Sequence, residues 1–237
     1  MFVAEGVRSV EELLRSGLTV RGALVAPQLL DAPRGAALRQ DLERSQIETA
    51  EVSEKDFRSA AETESPQGVL AIADVPRRSL DTLDVPELCR ILLLDGVQDP
   101  GNVGTILRTA AALGATATIA LPGTVDLWNA KVIRGSMGAQ FRHPALHASV
   151  DDALGFLARL SIELWATDTA GTPLEHAGAP KRLAIALGNE GAGISSSIRA
   201  KAERTISLPI SGDVESLNVA VAAGILLYEL RESNGNS

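Results

Sequence analysis

Apolar residues along the chain follow two alternating patterns: short continuous or every-other-residue runs that suit strands, and runs spaced three or four apart that suit helices. In the first third, Ser9 and Glu12 have the spacing of a capping box, and Gly17 sits where the helix they open should stop. A strand over 20–26, a helix over 35–45 and a strand over 47–52 follow. Ser53 with Asp56 repeats the cap pattern for a helix to about residue 61, and a strand over 69–73 closes the unit. These signals predict a compact α/β domain over residues 1–75. Pro76, Pro86 and the charges between them then interrupt the periodicity, so a linker is expected over 76–87 and a second domain over 88–237.

In the second domain, strands are expected over 91–94, 118–120, 162–166, 183–187 and 205–208. Helices are expected over 103–113 (stopped by Gly114), around 129–134, from Ser149 to about 160, near 197–202, and over 217–231. Such alternation predicts a mainly parallel sheet with helices on both faces. Three polar or glycine-rich loops, 95–102, 188–193 and 211–218, each follow an expected strand. In a parallel sheet they converge at the carboxyl ends of the strands, where ligands bind. The tail, 232–237, has the composition of a disordered segment.

Charge and composition narrow the picture. The formal net charge is −8 and the sequence pI about 5.0, which argues against a broadly basic surface but leaves room for a local patch. Aromatics make up 3% of the chain, too few for a base-stacking platform. Apolar runs fall short of the ~18 residues of a membrane span, and Met1 to Glu5 lack the features of a signal peptide. A cytoplasmic protein is expected. The single cysteine, Cys89, lies in an apolar run and reads as a core thiol.

The candidate chemistry lies in the three loops. Gly101-Asn102-Val103-Gly104 on its own is a turn with Asn102 as helix cap, but Arg108 then places one guanidinium in an otherwise apolar helix. Gly188 to Gly193 has the order Gly-x-x-Gly-x-Gly, the reverse of the dinucleotide fingerprint, and Glu190 within it would repel phosphate. Ser216 and Asn218 have the residue types of a helix start. Ala220, Ala222, Ala223 and Gly224 after them would let another helix or chain approach closely. Pro144 separates His143 from His147, so a helical metal face is not expected; both, with His176, read as surface or loop histidines.

Taken together, the loops resemble the three motifs of the SpoU, or TrmH-like, family of RNA ribose 2'-O-methyltransferases. Asn102-Val103-Gly104 with Arg108-Thr109-Ala110 resembles the first and Gly188-Asn189-Glu190-Gly191 the second. Leu208-Pro209 with Ser216-Leu217-Asn218-Val219-Ala220 resembles the third. Phe2 to Gly6 and Glu64 to Val69 are similar to the amino-terminal RNA-binding domain of many members, which has a ribosomal-protein-like α/β fold. The resemblance implies an α/β protein whose carboxyl-terminal parallel-sheet domain carries a trefoil knot. It implies S-adenosylmethionine held by backbone groups at Gly188, Leu208 and Leu217, and a homodimer. The implied catalytic set is Arg108, Asn102, Glu190, Ser216 and Asn218, with no metal. In that set Arg108 acts on the ribose hydroxyl, Asn102, Ser216 and Asn218 fix Arg108 and its loops, and Glu190 supports the loop and orients Arg108. Ribosomal RNA is the expected substrate ahead of transfer RNA, captured by residues 1–75 through a patch including Arg8, Arg21, Arg77 and Arg78. A noncatalytic RNA-binding relative acting in ribosome assembly is the competing reading.

Overall fold

The computed structural model describes residues 1–174, 178–212 and 216–231, so His176 and the 232–237 tail lie outside the described residues. Two sheets organise the chain. The first has four strands, β1 (Phe2–Glu5), β2 (Val20–Val25), β3 (Thr49–Glu51) and β4 (Val69–Ala73), in the order β1-β4-β2-β3. β4 is antiparallel to both neighbours, and β3 runs parallel to β2. The strand period of two sends Phe2, Ala4, Ala71 and Ala73 into a core shared with α1 (Val7–Leu14) and α2 (Pro33–Arg44). On the other face Leu70 packs with Phe57 of α3 (Glu54–Ala60).

Ser53 caps α3, its Oγ accepting the Asp56 N–H at 3.1 Å. Ser9 and Glu12 do not cap α1. That helix starts at Val7, whose N–H donates to Gln67 Oε1 at 2.9 Å, and Ser9 is buried within it. Gly6, at φ 94, turns the chain sharply out of β1 and hands the first amide to the loop before β4. A distant acceptor therefore displaces the local one.

The second sheet has six strands, all parallel: β5 (Cys89–Asp95), β6 (Ala117–Ala120), β7 (Ala145–His147), β8 (Glu163–Pro173), β9 (Arg182–Gly188) and β10 (Arg204–Ser207). Their order is β10-β8-β9-β5-β6-β7. β7 is an element the sequence pattern does not reveal, and β8 runs seven residues past the expected end at 166 to pair with β10 across a register shift. Along central β5, Leu92 and Leu94 face α4 (Pro100–Ala112) and α8 (Val219–Glu229), while Ile91 and Leu93 face α6 (Val150–Arg159) and α7 (Ser196–Arg199). Cys89 is buried in that second layer, and burial pushes its thiol pKa up. The chain leaves edge strand β10 and returns so that α8 packs on α4 beside β5. Small residues permit this approach: a Cβ at Gly224 would stand 3.4 Å from Thr109 Cγ2.

Residues 76–87 are packed rather than free. Leu80, Leu83 and Val85 sit against the second-sheet core, and Arg78 donates to the carbonyls of His143 at 2.5 Å and Phe141 at 3.0 Å. Arg78 is thus a staple, and Arg21 is paired with Asp74 at 2.6 Å; of the expected RNA patch, Arg8 and Arg77 stand exposed. The first sheet docks on α5 (Ala130–Ser136) and the 3-10 turn after it, with the Phe2 ring 4.6 Å from Trp128 and 5.6 Å from Phe141. Truncating a buried ring of this kind costs about 3–5 kcal/mol, so the docking is strong. His143 is a correction to the sequence reading. It is buried beside Arg78 with Nε2 2.8 Å from Thr118 Oγ1, and desolvation, followed by the Arg78 charge, pulls its pKa down to about 4.

Candidate active site

The site begins with a cap one turn earlier than the local sequence suggests. Asp99, not Asn102, caps α4: its Oδ1 accepts the Asn102 N–H at 2.7 Å, and Pro100 takes the first helical position. The Asn102 side chain is thereby released for longer-range contacts. Its Nδ2 donates to Glu190 Oε1 at 3.0 Å, and its Oδ1 accepts from Asn218 Nδ2 at 2.9 Å. Asn218 in turn caps α8, its Oδ1 accepting the N–H groups of Ala220 at 2.9 Å and Val221 at 3.3 Å. One amide side chain joins all three loops.

Glu190 fixes the opposite side of that junction. Besides Asn102, it accepts the N–H groups of Gln98 and Asp99, each at 3.3 Å, just ahead of α4 where the helix dipole favours negative charge. Partial burial pushes its carboxyl pKa up, but the hydrogen bonds from Asn102 and nearby backbone amides outweigh that and hold it below the ordinary value. Its partners are Asn102 and the backbone, so the expected orienting contact with Arg108 is replaced by support of the loop.

Asn189, part of the second motif but not among the expected site residues, folds the glycine loop. Its Nδ2 donates to Gly96 O at 2.8 Å, and its Oδ1 accepts the Gly191 and Ala192 N–H groups at 2.9 and 2.8 Å. The loop closes so tightly that a Cβ on Gly188 would come within 2.6 Å of the Gly193 oxygen and the Ile194 nitrogen. Beside it opens a cleft of about 610 Å³, lined by Gly188, Leu208, Ser216 and Leu217 together with Thr167 and Asp168 of β8. That is ample for a nucleoside-sized ligand.

Arg108 stands apart. Six residues beyond Asn102 on α4, it leaves the helix on another side, about 9 Å further along the axis. Its Nη1 lies 2.7 Å from Sδ of Met137, the residue at φ 52 that ends α5, and the side chain is exposed outside the cleft lining. The expectation that Asn102, Ser216 and Asn218 hold Arg108 is therefore replaced: Asn102 and Asn218 hold each other, and Met137 touches Arg108. Among the described residues no three His, Cys, Asp or Glu side chains are grouped to hold a metal ion, and no helix is long and apolar enough to cross a membrane.

Comparison with known proteins decides what these loops belong to. The family model of the SpoU rRNA Methylase family matches residues 90–228, and the MRM3-like substrate binding domain matches residues 1–71. The chain belongs to the SpoU rRNA methylase family. It is 35% identical over 231 residues to the 23S rRNA (guanosine(2553)-2'-O)-methyltransferase RlmP of Bacillus subtilis, spanning 97% of this chain and 88% of that one. It is 30% identical over 247 aligned residues to a 23S rRNA (uridine(2479)-2'-O)-methyltransferase of Streptomyces viridochromogenes, spanning 96% and 81%. The solved structure of the SpoU methyltransferase AviRb from that organism with AdoMet superposes with a TM-score of 0.86 at 30% identity, covering 97% of this chain and 88% of that one. The fold of this SpoU protein is accordingly the α/β trefoil-knot type, with its small amino-terminal domain docked on α5 and the 3-10 turn after it.

Proposed function

We propose that this SpoU protein transfers a methyl group from S-adenosylmethionine to a ribose 2'-hydroxyl of ribosomal RNA, within the 23S molecule. The observation that carries this reading is the Glu190–Asn102–Asn218 relay, which locks the first helix turn of α4 to both walls of the cleft. Likeness to 23S rRNA enzymes along nearly the whole chain, both domains included, supports the choice of RNA. An rRNA substrate puts the protein in the cytoplasm.

The cleft fits the cofactor on its own geometry. Gly188 leaves backbone where any side chain would collide, and Leu208 and Leu217 bring backbone and apolar surface to the same space. Bound there, S-adenosylmethionine would supply an electrophilic methyl carbon on a neutral thioether leaving group. The residues do the rest. A ribose oxygen taking up that methyl would release the thioether, and the hydroxyl proton would pass to water or a phosphate oxygen. Arg108, exposed outside the cleft lining, would serve this step as a cation presented to the developing alkoxide from outside the cleft, since a guanidinium in a protein stays protonated. Asn102, Glu190 and Asn218 hold the loops, and Ser216 lines the cleft.

Residues 1–75 capture the RNA, with Arg8 in that domain and Arg77 just after it available for phosphates. The protein works as a homodimer: Leu217 just ahead of α8 and Val221, Ile225 and Tyr228 on it form an exposed apolar stripe, next to the cleft, that a second copy would cover. The test is to incubate the protein with unmodified ribosomal and transfer RNA and labelled cofactor, then map alkali-resistant linkages. Label confined to 23S rRNA is expected. Label confined to tRNA, or none with either RNA, refutes the reading.

A further inference from the structure

The cleft carries few charges. Among the described residues lining it, the charged side chains are Asp168, Glu190 and Arg199, and Arg199 is the only cation. Glu190 is already committed to Asn102 and two backbone amides at the end of the cleft nearest α4. Asp168 and Arg199 lie at the other side, on β8 and α7, beyond β9 in the sheet order. Asp168 is fully used as well: Oδ1 accepts the Ala170 N–H at 3.0 Å, and Oδ2 is 2.6 Å from Arg199 Nη2. Those contacts, the Ala170 amide first and Arg199 second, hold the Asp168 carboxyl below its ordinary pKa. The Arg199 side chain is 44% exposed, so its remaining donors face the cleft and solvent while one edge is pinned.

We infer that Arg199 is a specificity-determining residue of the cofactor cleft, binding the amino-acid carboxylate of S-adenosylmethionine, and that Asp168 is the positioning residue that aims it. This rests on the cofactor reading above and assigns an end of the ligand that reading leaves open. Charge complementarity is the argument: the carboxylate is the ligand's only anionic group and Arg199 the lining's only cation among the described residues. Reach agrees with it. β8, which carries Asp168, neighbours β9 in the sheet, so a ligand held at Gly188 is about one strand spacing, roughly 4.8 Å, from the strand whose carboxylate pins Arg199. A planar fork already anchored at one edge loses little freedom on binding a carboxylate.

The test uses the full chain, calorimetry without RNA, and two ligands, S-adenosylmethionine and its decarboxylated analogue. Because the site is part exposed, the wild type should bind the analogue about five- to tenfold more weakly. Arg199→Gln should bind both ligands with the same, weak affinity. Asp168→Asn should weaken S-adenosylmethionine by a smaller factor and leave the analogue unchanged. Thermal melting confirms that each variant is folded. If Arg199→Gln keeps the wild-type preference for the carboxylate, the assignment is overturned and the cofactor reading survives. It is overturned in the same way if Arg199→Gln binds both ligands as the wild type does and a separate titration with ribosomal RNA shows lost affinity, which would make Arg199 an RNA contact. Failure of the wild type to bind either ligand overturns the cofactor reading as well.

Discussion

Asn102→Asp is the sharpest probe of the relay, because it keeps the shape of the side chain and inverts one interaction. In the native protein Asn102 Nδ2 donates to Glu190 Oε1 at 3.0 Å. The substitution puts a second carboxylate oxygen at that distance. Two unit charges about 3 Å apart repel by about 1.4 kcal/mol in bulk water and by about 3 kcal/mol at half that dielectric constant. Both side chains are partly solvated, so the lower figure applies. Losing a donor to a charged acceptor adds about 1.5 kcal/mol, for a total of about 3 kcal/mol at about pH 8. For a chain of 237 residues that is a fall in Tm of about 6–12 °C. The pH dependence gives the decisive sign. The new carboxylate pair binds a proton more tightly folded than unfolded, so its penalty is relieved at low pH and appears as pH rises. Wild-type Glu190, with its depressed pKa, behaves oppositely: its contribution is present at neutral pH and lost only as the solution becomes acidic enough to protonate it. Melting curves of both proteins from pH 8 to pH 5 should therefore show a deficit that is largest at pH 8 and shrinks toward pH 5. A deficit constant across that range, or none at pH 8, would show that Asn102 and Glu190 do not meet as described.

Gly188→Ala should keep the fold but weaken S-adenosylmethionine binding about tenfold or more by calorimetry, since its Cβ has no room against the Gly193–Ile194 backbone; unchanged affinity would place the cofactor elsewhere. Arg108→Ala should abolish detectable methylation while cofactor affinity stays within a few-fold, and Arg108→Lys should stay inactive even at alkaline pH if the planar fork matters; a rate that recovers with pH in the lysine variant would instead mark a general base. Burial holds His143 neutral down to about pH 4, so the unfolded chain takes up its proton first and stability falls by up to about 3 kcal/mol between pH 6.5 and 4. NMR titration checks this: a His143 midpoint near 6.5 would contradict its burial beside Arg78.

Much of the site is legible in the sequence because its chemistry sits in contiguous motifs at strand ends. Asn102, Glu190 and Asn218 can be singled out one by one as polar residues in turns. What each of them touches cannot. Local preference makes Asn102 a cap, and only the presence of Asp99 and Pro100 ahead of it, read in three dimensions, shows that the helix has already started. Arg108 can be recognised as an isolated cation, but its neighbour Met137 comes from another helix 29 residues away. Asn189 lies in a legible motif, but its role is hidden because its work is done through backbone amides, which leave no mark on residue type. His143 is misread for a related reason: a histidine next to a proline looks like a loop residue until the Arg78 strap and Thr118 close over it.

By itself, the sequence determined what depends on neighbours along the chain. Period-two and period-3.6 patterns set the strands and helices, Ser53 and Ser149 capped their helices as local hydrogen bonding requires, and Gly114, at φ 74, stopped α4. Tertiary structure decided what depends on segments far apart. β7, only three residues long, is a strand because β6 offers it a ladder, and β8 extends beyond its apolar run because β10 pairs with that extension. Strand order carried β9 between β8 and β5, which is why loops 93 and 116 residues apart meet at Gly96, Asn189, Asn102 and Asn218. A side chain's own chemistry fixes which partners it can take, but only the path of the chain through space fixes which one it finds.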